Sequence, residues 1–276
     1  MRKIILTILA AALLAVGLPM QAQAANPTNI FVVAHQDDEL LMMGADIARH
    51  AAQPGKVIVV LATDGGASAA RHKLAAKLGY TPTVADFVTH RDAEFTWTCR
   101  ALGADVCEIY QPRIPDGKMT FEAAEGLFNS YAKKYPGARF KTHSWLDWHT
   151  DHRYLGEALD SLRAQGVIND ARFYIRHDYG IGKAPFPLPP HGKPIAQVGD
   201  TEQNAYRLWA PNKAYNRYWG IGYLSTASLF NAHRANPRSF VHASSVELGQ
   251  WPGAEEAHKW IVQNSNGLMT TRAGSE

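Results

Sequence analysis

Two short segments, far apart in the chain, carry the residues whose types and spacing could do chemistry. The first covers residues 34–39, reads AHQDDE and directly follows the apolar run 29–33. The second covers residues 149–152 and reads HTDH. Imidazole and carboxylate together are an ordinary ligand set for zinc, and a carboxylate next to a ligand can act as a general base. Together the segments predict a mononuclear metal site in a hydrolase.

Helix capping is the alternative interpretation of both segments. Asp37 and Asp38 precede a helical pattern, and acidic residues are good N-caps that also suit the positive end of the helix dipole. Thr150 and Asp151 could likewise cap a helix that begins at Arg153. Capping needs none of the histidines in either segment, so the sequence favours a shared metal over two unrelated caps.

The elements that must position these residues alternate between strand and helix patterns. Short continuous apolar or β-branched runs are typical of buried parallel strands, and the sequence predicts strands at Asn29–Val33, Val57–Ala62, Val106–Tyr110, Arg139–His143 and Ala171–Ile175. The helices predicted between them are Glu39–His50, Ala85–Leu102, Phe121–Lys134 and Arg153–Ala164.

This alternation predicts an α/β fold, a Rossmann-like three-layer αβα sandwich with a mostly parallel sheet. The core would span residues 29–175, and an aromatic-rich C-terminal elaboration would span residues 176–276. Ligands of such sheets bind outside the carboxyl ends of the strands. Both chemistry-bearing segments fall at such ends.

The N-terminus predicts export. Arg2 and Lys3 precede an apolar stretch over residues 4–20, and Ala22-Gln23-Ala24 has the form of a cleavage site. This is the pattern of a secretory signal peptide over residues 1–24. A membrane anchor is the alternative, but the run is short and the cleavage pattern follows at once. We therefore expect a secreted or periplasmic protein, residues 25–276, without a stable membrane span.

Charge and glycine patterns exclude several partner classes. Without Arg2 and Lys3, 26 basic residues face 25 acidic ones, a net charge of +1, and no basic stripe is visible. This argues against nucleic acid as a partner. No Gly-x-Gly-x-x-Gly follows the first strand and no Walker pattern is present, so we expect no nucleotide cofactor.

Two further features have open interpretations. Cys99 and Cys107 could form a disulfide in an oxidising compartment or remain two buried thiols. Aromatic residues beyond position 200 could stack on sugar rings or pack as a cap over the sheet, and we favour packing; they are Tyr206, Trp209, Tyr215, Tyr218, Trp219, Tyr223 and Phe230. Four histidines outside the motifs are expected to be surface or core residues, namely His143, His177, His191 and His242.

Four segments in this order resemble the LmbE-like/PIG-L zinc-dependent de-N-acetylase family. They are AHQDDE at 34–39, ATDGG at 62–66, RDAE at 91–94 and HTDH at 149–152. The family's hallmarks are an Ala-His-Pro-Asp-Asp-Glu motif and a later His-Pro-Asp-His motif. The resemblance covers residues 29–175 and implies a Rossmann-like fold. It also implies hydrolysis of an N-acetylated amino sugar, or a conjugate of one, to a free amine and acetate.

The resemblance implies a metal held by His35, Asp38 and His152. Three protein ligands leave a zinc position open for water and substrate, and zinc lowers the pKa of bound water towards about 7. Zinc is the expected metal, although mixed nitrogen and oxygen ligands also accept Fe2+ or Co2+.

By the same resemblance, Asp37 would be the general base, and His149 would act as an acid or stabilise the oxyanion. Asp151 would orient a histidine. Either Asp37 or His149 could protonate the leaving nitrogen, and the sequence leaves that choice open. Glu39 is interpreted as a helix-start residue or a partner of the site residues.

Two further positions are candidates for substrate contacts. Arg91 matches the helix arginine of the family; its alternative is an ion pair with Glu94 or with a site carboxylate. Asp64 would lie at a strand end facing the same cleft. Its alternative is a turn-forming Asp-Gly, which we favour.

The chain departs from the family at three positions. Gln36 and Thr150 stand where the two motifs have proline, which stiffens the backbone but supplies no ligand. Asp147 stands where some members have a tyrosine, so a tyrosine-assisted oxyanion is in doubt. The C-terminal region matches no family signature.

Three functions follow from these residues. The first is an exported deacetylase acting on an N-acetylglucosamine-type glycan, glycolipid or conjugate. The second keeps the metal but hydrolyses another amide or an O-acetyl ester. The third is a non-catalytic glycan-binding module on the same scaffold. Retention of Asp37 and His149 argues against the third, because a module without catalysis has no chemical use for both.

Overall fold

A computed structural model describes residues 26–175, 206–207, 209–210, 218–235 and 237–248. The expected signal peptide over residues 1–24, together with His177 and His191, lies outside the described residues. Within them, none of the helices combines the length and the apolar character that a bilayer crossing requires.

The described residues contain a six-stranded sheet. Its strands are β1 (Thr28–Val33), β2 (Lys56–Thr63), β3 (Val106–Ile114), β4 (Arg139–His143), β5 (Ala171–Ile175) and β8 (Phe240–His242). They lie in the order β3-β2-β1-β4-β5-β8, and all neighbours are parallel except β5 and β8, which are antiparallel. A separate antiparallel pair consists of β6 (Trp209–Ala210) and β7 (Tyr218–Trp219).

Helices cover both faces of this sheet. They are α1 (Asp38–Leu41), α2 (Gly44–Ala51), α3 (Ala70–Leu78), α4 (Val84–Ala101), α5 (Phe121–Lys134), α6 (Thr150–Ala164), α7 (Ile221–Ala235) and α8 (Ser245–Leu248). Side chains of β1 alternate between the two faces. Ile30 packs in the core with Leu127 and Leu155 of α5 and α6, whereas Phe31 packs in the core with Phe95 of α4. Burial on both faces explains the continuous apolar runs.

The strand order places a topological switch point beside β1. The chain proceeds from β1 to β2 and β3 on one side and continues with β4 and β5 on the other. A crevice therefore opens between the carboxyl ends of β1 and β4, the place where such sheets bind ligands. Both predicted segments lie there. The predicted α/β fold with a mostly parallel sheet is confirmed.

Two local predictions were wrong, and one helix was missed. The predicted helix Glu39–His50 is two helices, and the second begins at Gly44, a weak helix former. Helix α3 was not predicted, because it buries only Ala70 and Leu74 and so carries little apolar periodicity. Helix α6 begins at Thr150 rather than Arg153, and its N-cap is His149 rather than Thr150 or Asp151.

The two open interpretations have answers in the described residues. Cys99 and Cys107 form a disulfide that joins the last turn of α4 to β3. Tyr206, Trp219 and Phe230 are buried, which supports packing over sugar stacking for these three. Tyr215 and the side chain of Trp209 lie outside the described residues.

Candidate metal centre and active site

Three ligand atoms predicted from the sequence converge at the switch point. His35 Nδ1 lies 3.4 Å from Asp38 Oδ2, His152 Nε2 lies 3.2 Å from the same oxygen, and the two nitrogens are 3.2 Å apart. Ligands about 2.0–2.1 Å from a tetrahedral zinc lie about 3.4 Å from one another. All three residues are buried. The cluster could hold a metal ion, and its spacing fits zinc.

Other histidines lie close to this cluster. His149 also offers a nitrogen within 4.8 Å of nitrogens of His35 and His152. His143 offers one within 4.8 Å of Asp38 and His152. Neither was predicted as a ligand. A third group that could hold a metal combines His35 with Asp116 and Asp151. The assignment of His35, Asp38 and His152 as the ligands therefore stays a prediction.

Carboxylates hold the outward nitrogens of the two candidate histidine ligands. His152 Nδ1 lies 2.9 Å from Asp147 Oδ2. His35 Nε2 lies 3.0 Å from Asp151 Oδ2 and 3.1 Å from Asp116 Oδ1. Such partners fix the ring orientation and tautomer of ligand histidines. Asp151 therefore contacts a histidine, as the resemblance implies.

Asp147 and Asp116 were missed as parts of the site. Asp147 was noticed only as a departure from a family tyrosine, and its position beside the second motif gave no sign of a bond to His152. Asp116 follows β3, at the carboxyl end of a third parallel strand, which is the signal that could have identified it.

The electrostatics of the cluster favour positive charge. Burial acts to lower the pKa of His152, but Asp38 and Asp147 outweigh it and raise the pKa to about 9. Burial also acts to lower the pKa of His35. Its bonds to carboxylates outweigh burial and raise this pKa well above its ordinary value. Without metal, protons supply the positive charge that a bound cation would supply instead.

Asp37 occupies an unusual backbone conformation. Its φ is 102° and its ψ is −24°, a region that non-glycine residues rarely adopt. It stands at the N-cap of α1, yet its side chain makes no capping hydrogen bond. Its carboxylate Oδ2 instead lies 3.7 Å from Nη2 of Arg91. The capping interpretation is therefore wrong for this side chain. Its role as the general base stays a prediction.

His149 is placed to donate a hydrogen bond. Its Nδ1 accepts the backbone N–H of Asp151 at 3.3 Å, so in the neutral ring the proton sits on Nε2. Burial, with the neighbouring His152 and His35, lowers the pKa of His149 to about 4. Its ring lies 4.6 Å from that of His35. A neutral donor at this place suits oxyanion stabilisation better than proton donation.

Arg91 is buried, and its guanidinium group binds backbone carbonyls rather than facing an open cleft. Its Nη1 donates to the carbonyl of Gly65 at 2.7 Å, and its Nη2 donates to the carbonyl of Gln36 at 2.6 Å. Of the two ion pairs considered as alternatives, the structure contains the one between Arg91 and the site carboxylate Asp37. Glu94 instead accepts backbone N–H groups at the start of α7. A substrate contact of Arg91 stays a prediction.

Asp64 forms a turn, as favoured. Its Oδ1 accepts the backbone N–H of Gly66 at 2.8 Å and of Asp116 at 2.9 Å. These bonds tie the loop after β2 to the loop after β3. No contact here tests its candidate role toward substrate.

Gln36 stands where the family motif has a proline, and its side chain holds the loop by hydrogen bonds. Its Nε2 donates to the carbonyl of Asp64 at 3.0 Å and to Asp92 Oδ1 at 2.8 Å. Asp92 is itself held by a two-pronged contact with Arg113. The side chain of Gln36 thus ties the loop after β1 to the loop after β2 and to α4.

His143 is a core residue that borders the site. Its ring stacks on that of His152 with centroids 3.8 Å apart, and its Nε2 accepts the N–H of Ala34 at 2.9 Å. Burial and the neighbouring His152 hold its pKa well below the ordinary value. The expectation of a core residue holds, but its contact with a candidate ligand was not foreseen. His242, also buried, pairs with Ser144.

Fold and cluster together define an α/β protein with a candidate metal site at the switch point of its sheet. Residues 30–162 match the model of the PIG-L family, GlcNAc-PI de-N-acetylase. This match confirms the resemblance of the α/β half of the chain to that family. A search of curated proteins finds no match.

Solved structures that are similar to this chain have low sequence identity to it. A deacetylase of the A40926 pseudoaglycone is 18% identical with a TM-score of 0.52, over 78% of this chain and 95% of its own. A 4-carboxy-2-hydroxymuconate hydratase of Pseudomonas putida is 19% identical at 0.49, over 76% and 87%. The N,N'-diacetylchitobiose deacetylase of Pyrococcus horikoshii is 18% identical at 0.43, over 54% and 60%. The first supports the fold assignment.

Proposed function

We propose that this protein is an exported, zinc-dependent de-N-acetylase that hydrolyses an N-acetylated amino sugar of a glycan, glycolipid or conjugate. The observation that carries the proposal is the cluster of His35, Asp38 and His152, with 3.2–3.4 Å between ligand atoms. Asp37, the predicted base, directly precedes Asp38 in the chain. The family match supports the reaction class.

The metal would be held by His35, Asp38 and His152. When bound, zinc supplies a Lewis acid that polarises the acetamide carbonyl and makes water acidic enough to attack at neutral pH. The residues of the chain supply the remaining chemistry: they orient the ligands, move protons and bind the developing charge.

Proton transfer is assigned to Asp37. Its carboxylate accepts a proton from water as the water oxygen bonds to the acetyl carbon. The Nε2–H of His149 donates to the oxyanion that develops on the former carbonyl. Asp37 then returns the proton to the nitrogen as the carbon–nitrogen bond breaks, giving a free amine and acetic acid, which ionises to acetate at neutral pH. The low pKa of His149, about 4, leaves little imidazolium at neutral pH to protonate the nitrogen instead.

Export rests on the N-terminal pattern and on the cysteines. The first 24 residues have the composition of a signal peptide, and the Cys99–Cys107 disulfide suits an oxidising compartment. Expression of the full chain in a bacterial host should yield protein outside the cytoplasm whose N-terminus is Ala25. Recovery of an uncleaved chain in the cytoplasm would overturn this part of the proposal.

The activity is tested with the mature protein loaded with zinc. Acetate release is measured from N-acetylglucosamine conjugates and, side by side, from O-acetyl sugar esters, for wild type and Asp37→Asn. We expect amine and acetate from the N-acetyl substrates in wild type and little from the variant. Turnover of the O-acetyl esters alone would assign an esterase, and no acetate release by wild type from either substrate would favour a glycan-binding module. Equal turnover by wild type and variant would show that Asp37 is not the base.

A further inference from the structure

The conformation of Asp37 needs an explanation beyond its own sequence neighbours. Among the residues that the structure describes, it is the one non-glycine residue with a positive φ. A conformation of this kind costs on the order of 1–3 kcal/mol and persists only where the surroundings fix it. Because Asp37 carries the predicted base, whatever fixes its backbone also aims its carboxylate.

The peptide unit before Asp37 is hydrogen-bonded at both its carbonyl oxygen and its N–H. Its carbonyl oxygen, that of Gln36, accepts a hydrogen bond from Nη2 of Arg91 at 2.6 Å. Its N–H, that of Asp37, donates to Oε2 of Glu39 at 3.0 Å. The orientation of this peptide plane sets the φ of Asp37. Arg91 and Glu39 therefore hold the strained conformation between them.

Glu39 is in turn held by the C-terminal part of the chain. The hydroxyl of Tyr206 donates to Oε1 of Glu39, and both side chains are buried. Tyr206 packs against Phe230 of α7 with ring centroids 5.2 Å apart. A Cβ added at Gly222 of the same helix would lie 2.4 Å from the Tyr206 ring. Close packing against α7 thus fixes the position of the Tyr206 ring, and the Tyr206 hydroxyl in turn holds the carboxylate of Glu39.

We propose that Tyr206 is a positioning residue of the reaction, which acts through Glu39 on the backbone of Asp37 and so aims the carboxylate of the base. The inference rests on the proposed function insofar as Asp37 is the base. It gives the C-terminal elaboration a role in the chemistry as well as in packing. Glu39 is then a support of the base rather than only a residue of the first helical turn.

The test compares two variants that each delete one buried tyrosine hydroxyl. Tyr206→Phe removes the bond to Glu39. The matched control Tyr174→Phe removes a bond of the same type, from the buried Tyr174 hydroxyl to Asp46, which belongs to neither motif. For each zinc-loaded protein the melting temperature, zinc content, kcat and KM on an N-acetylglucosamine conjugate are measured.

We expect kcat of Tyr206→Phe to fall on the order of 10- to 100-fold, because a small misplacement of a reacting group is costly. Its KM, zinc content and melting temperature should match those of Tyr174→Phe, whose kcat should equal that of wild type. Glu39→Gln is a second variant on the same path and should show the same split between kcat and KM. Equal kcat values for Tyr206→Phe and Tyr174→Phe would overturn the inference.

A readout without turnover separates this inference from the proposed function. Hydrogen exchange at the amide of Asp37 should be faster in Tyr206→Phe, on the order of tenfold, and unchanged in Tyr174→Phe. If wild type turns over no acetylated sugar but this difference is seen, the proposed function fails and the support of Asp37 by Tyr206 stands. If wild type is active and the exchange rates are equal, the support by Tyr206 is wrong.

Discussion

The loop after β1 and the loop after β4 build one site but are held in place by different means. The β1 loop, residues 34–38, takes its shape from Arg91, 55 residues from Gln36, and from Tyr206, 167 residues from Glu39. In the β4 loop, residues 144–149, Ser144 pairs with the distant His242. Asp147, however, is bonded over two to five residues, to His149 and to the candidate ligand His152. The backbone of Asp37 is strained and depends on the assembled fold, whereas these bonds of Asp147 are local to the start of α6.

This difference separates two kinds of function. The β1 loop carries the predicted base, whose aim depends on distant residues. The β4 loop presents a candidate ligand whose orientation is fixed locally by a carboxylate. We therefore expect loss of a distant support of Asp37, such as Tyr206, to reduce turnover without loss of metal, and loss of Asp147 to weaken metal binding first.

Asp37→Asn should have the largest effect on turnover. Loss of a general base costs on the order of 10²–10⁴-fold in rate, and zinc content should stay that of wild type because Asp37 is not a predicted ligand. Single-turnover rates and zinc analysis on the same preparations check both points. Loss of zinc from Asp37→Asn would mean that Asp37 is a ligand. The proposed division between a residue of turnover and a residue of metal binding would then be wrong.

Asp147→Ala should weaken zinc binding by about 10- to 100-fold, since partners of ligand histidines typically contribute that much. Competition with a chelator measures the affinity. Asp160→Ala is the matched control, because Asp160 lies on α6 and also accepts a backbone N–H, from Ser245 at 2.8 Å. Equal zinc affinities for the two variants would show that Asp147 does not orient His152.

Gly65→Ala tests the dependence of the β1 loop on close packing. A Cβ at Gly65 would lie 2.0 Å from Gln36 Oε1 and 2.5 Å from Arg91 Nη1, whereas one at Gly79 would meet nothing within 4 Å. Both glycines have positive φ, so Gly79→Ala carries the backbone cost alone, about 1 kcal/mol. Chemical denaturation should show a larger loss for Gly65→Ala, together with a fall in kcat. Equal losses of unfolding free energy in the two variants would show that the β1 loop does not depend on close packing at Gly65.

The last prediction is a pH dependence of the metal-free protein. An unfolded histidine titrates near 6.5, but in the folded protein the pKa of His152 is about 9, so the folded state binds this proton more tightly. The stabilisation is complete below pH 6.5 and is lost as pH rises through 9. The free energy of unfolding should therefore fall across this range, and zinc should suppress the fall. A free energy that rises with pH would contradict the charge assignment.

Much of the fold could be predicted because its signals are local. Buried parallel strands read as apolar runs, and the strand Ala171–Ile175 and the helix Phe121–Lys134 have the predicted bounds. The break at Gly44 and the weakly patterned α3 were missed, because packing rather than periodicity decides them. The gathering of His35, Asp38 and His152 also followed from position, since carboxyl ends of parallel strands meet at one edge.

The supports of the site could not be predicted in the same way. Nothing near Glu39 in sequence indicates Tyr206, because their contact depends on how α7 packs. The positive φ of Asp37 likewise results from two hydrogen bonds to its preceding peptide, and only one of them is local. Asp147 lies close in sequence to His152, yet a carboxylate in a loop has many alternative uses. Long-range polar contacts were therefore the part that the sequence did not reveal.

The central claim is that His35, Asp38 and His152 hold one metal ion. The most direct test is the metal content of the purified mature protein, wild type beside the double variant His35→Ala/His152→Ala, after incubation with zinc and removal of excess. The account predicts about one zinc per chain in wild type and none above background in the folded variant. Wild type without bound metal, or a variant that retains it, would contradict the account.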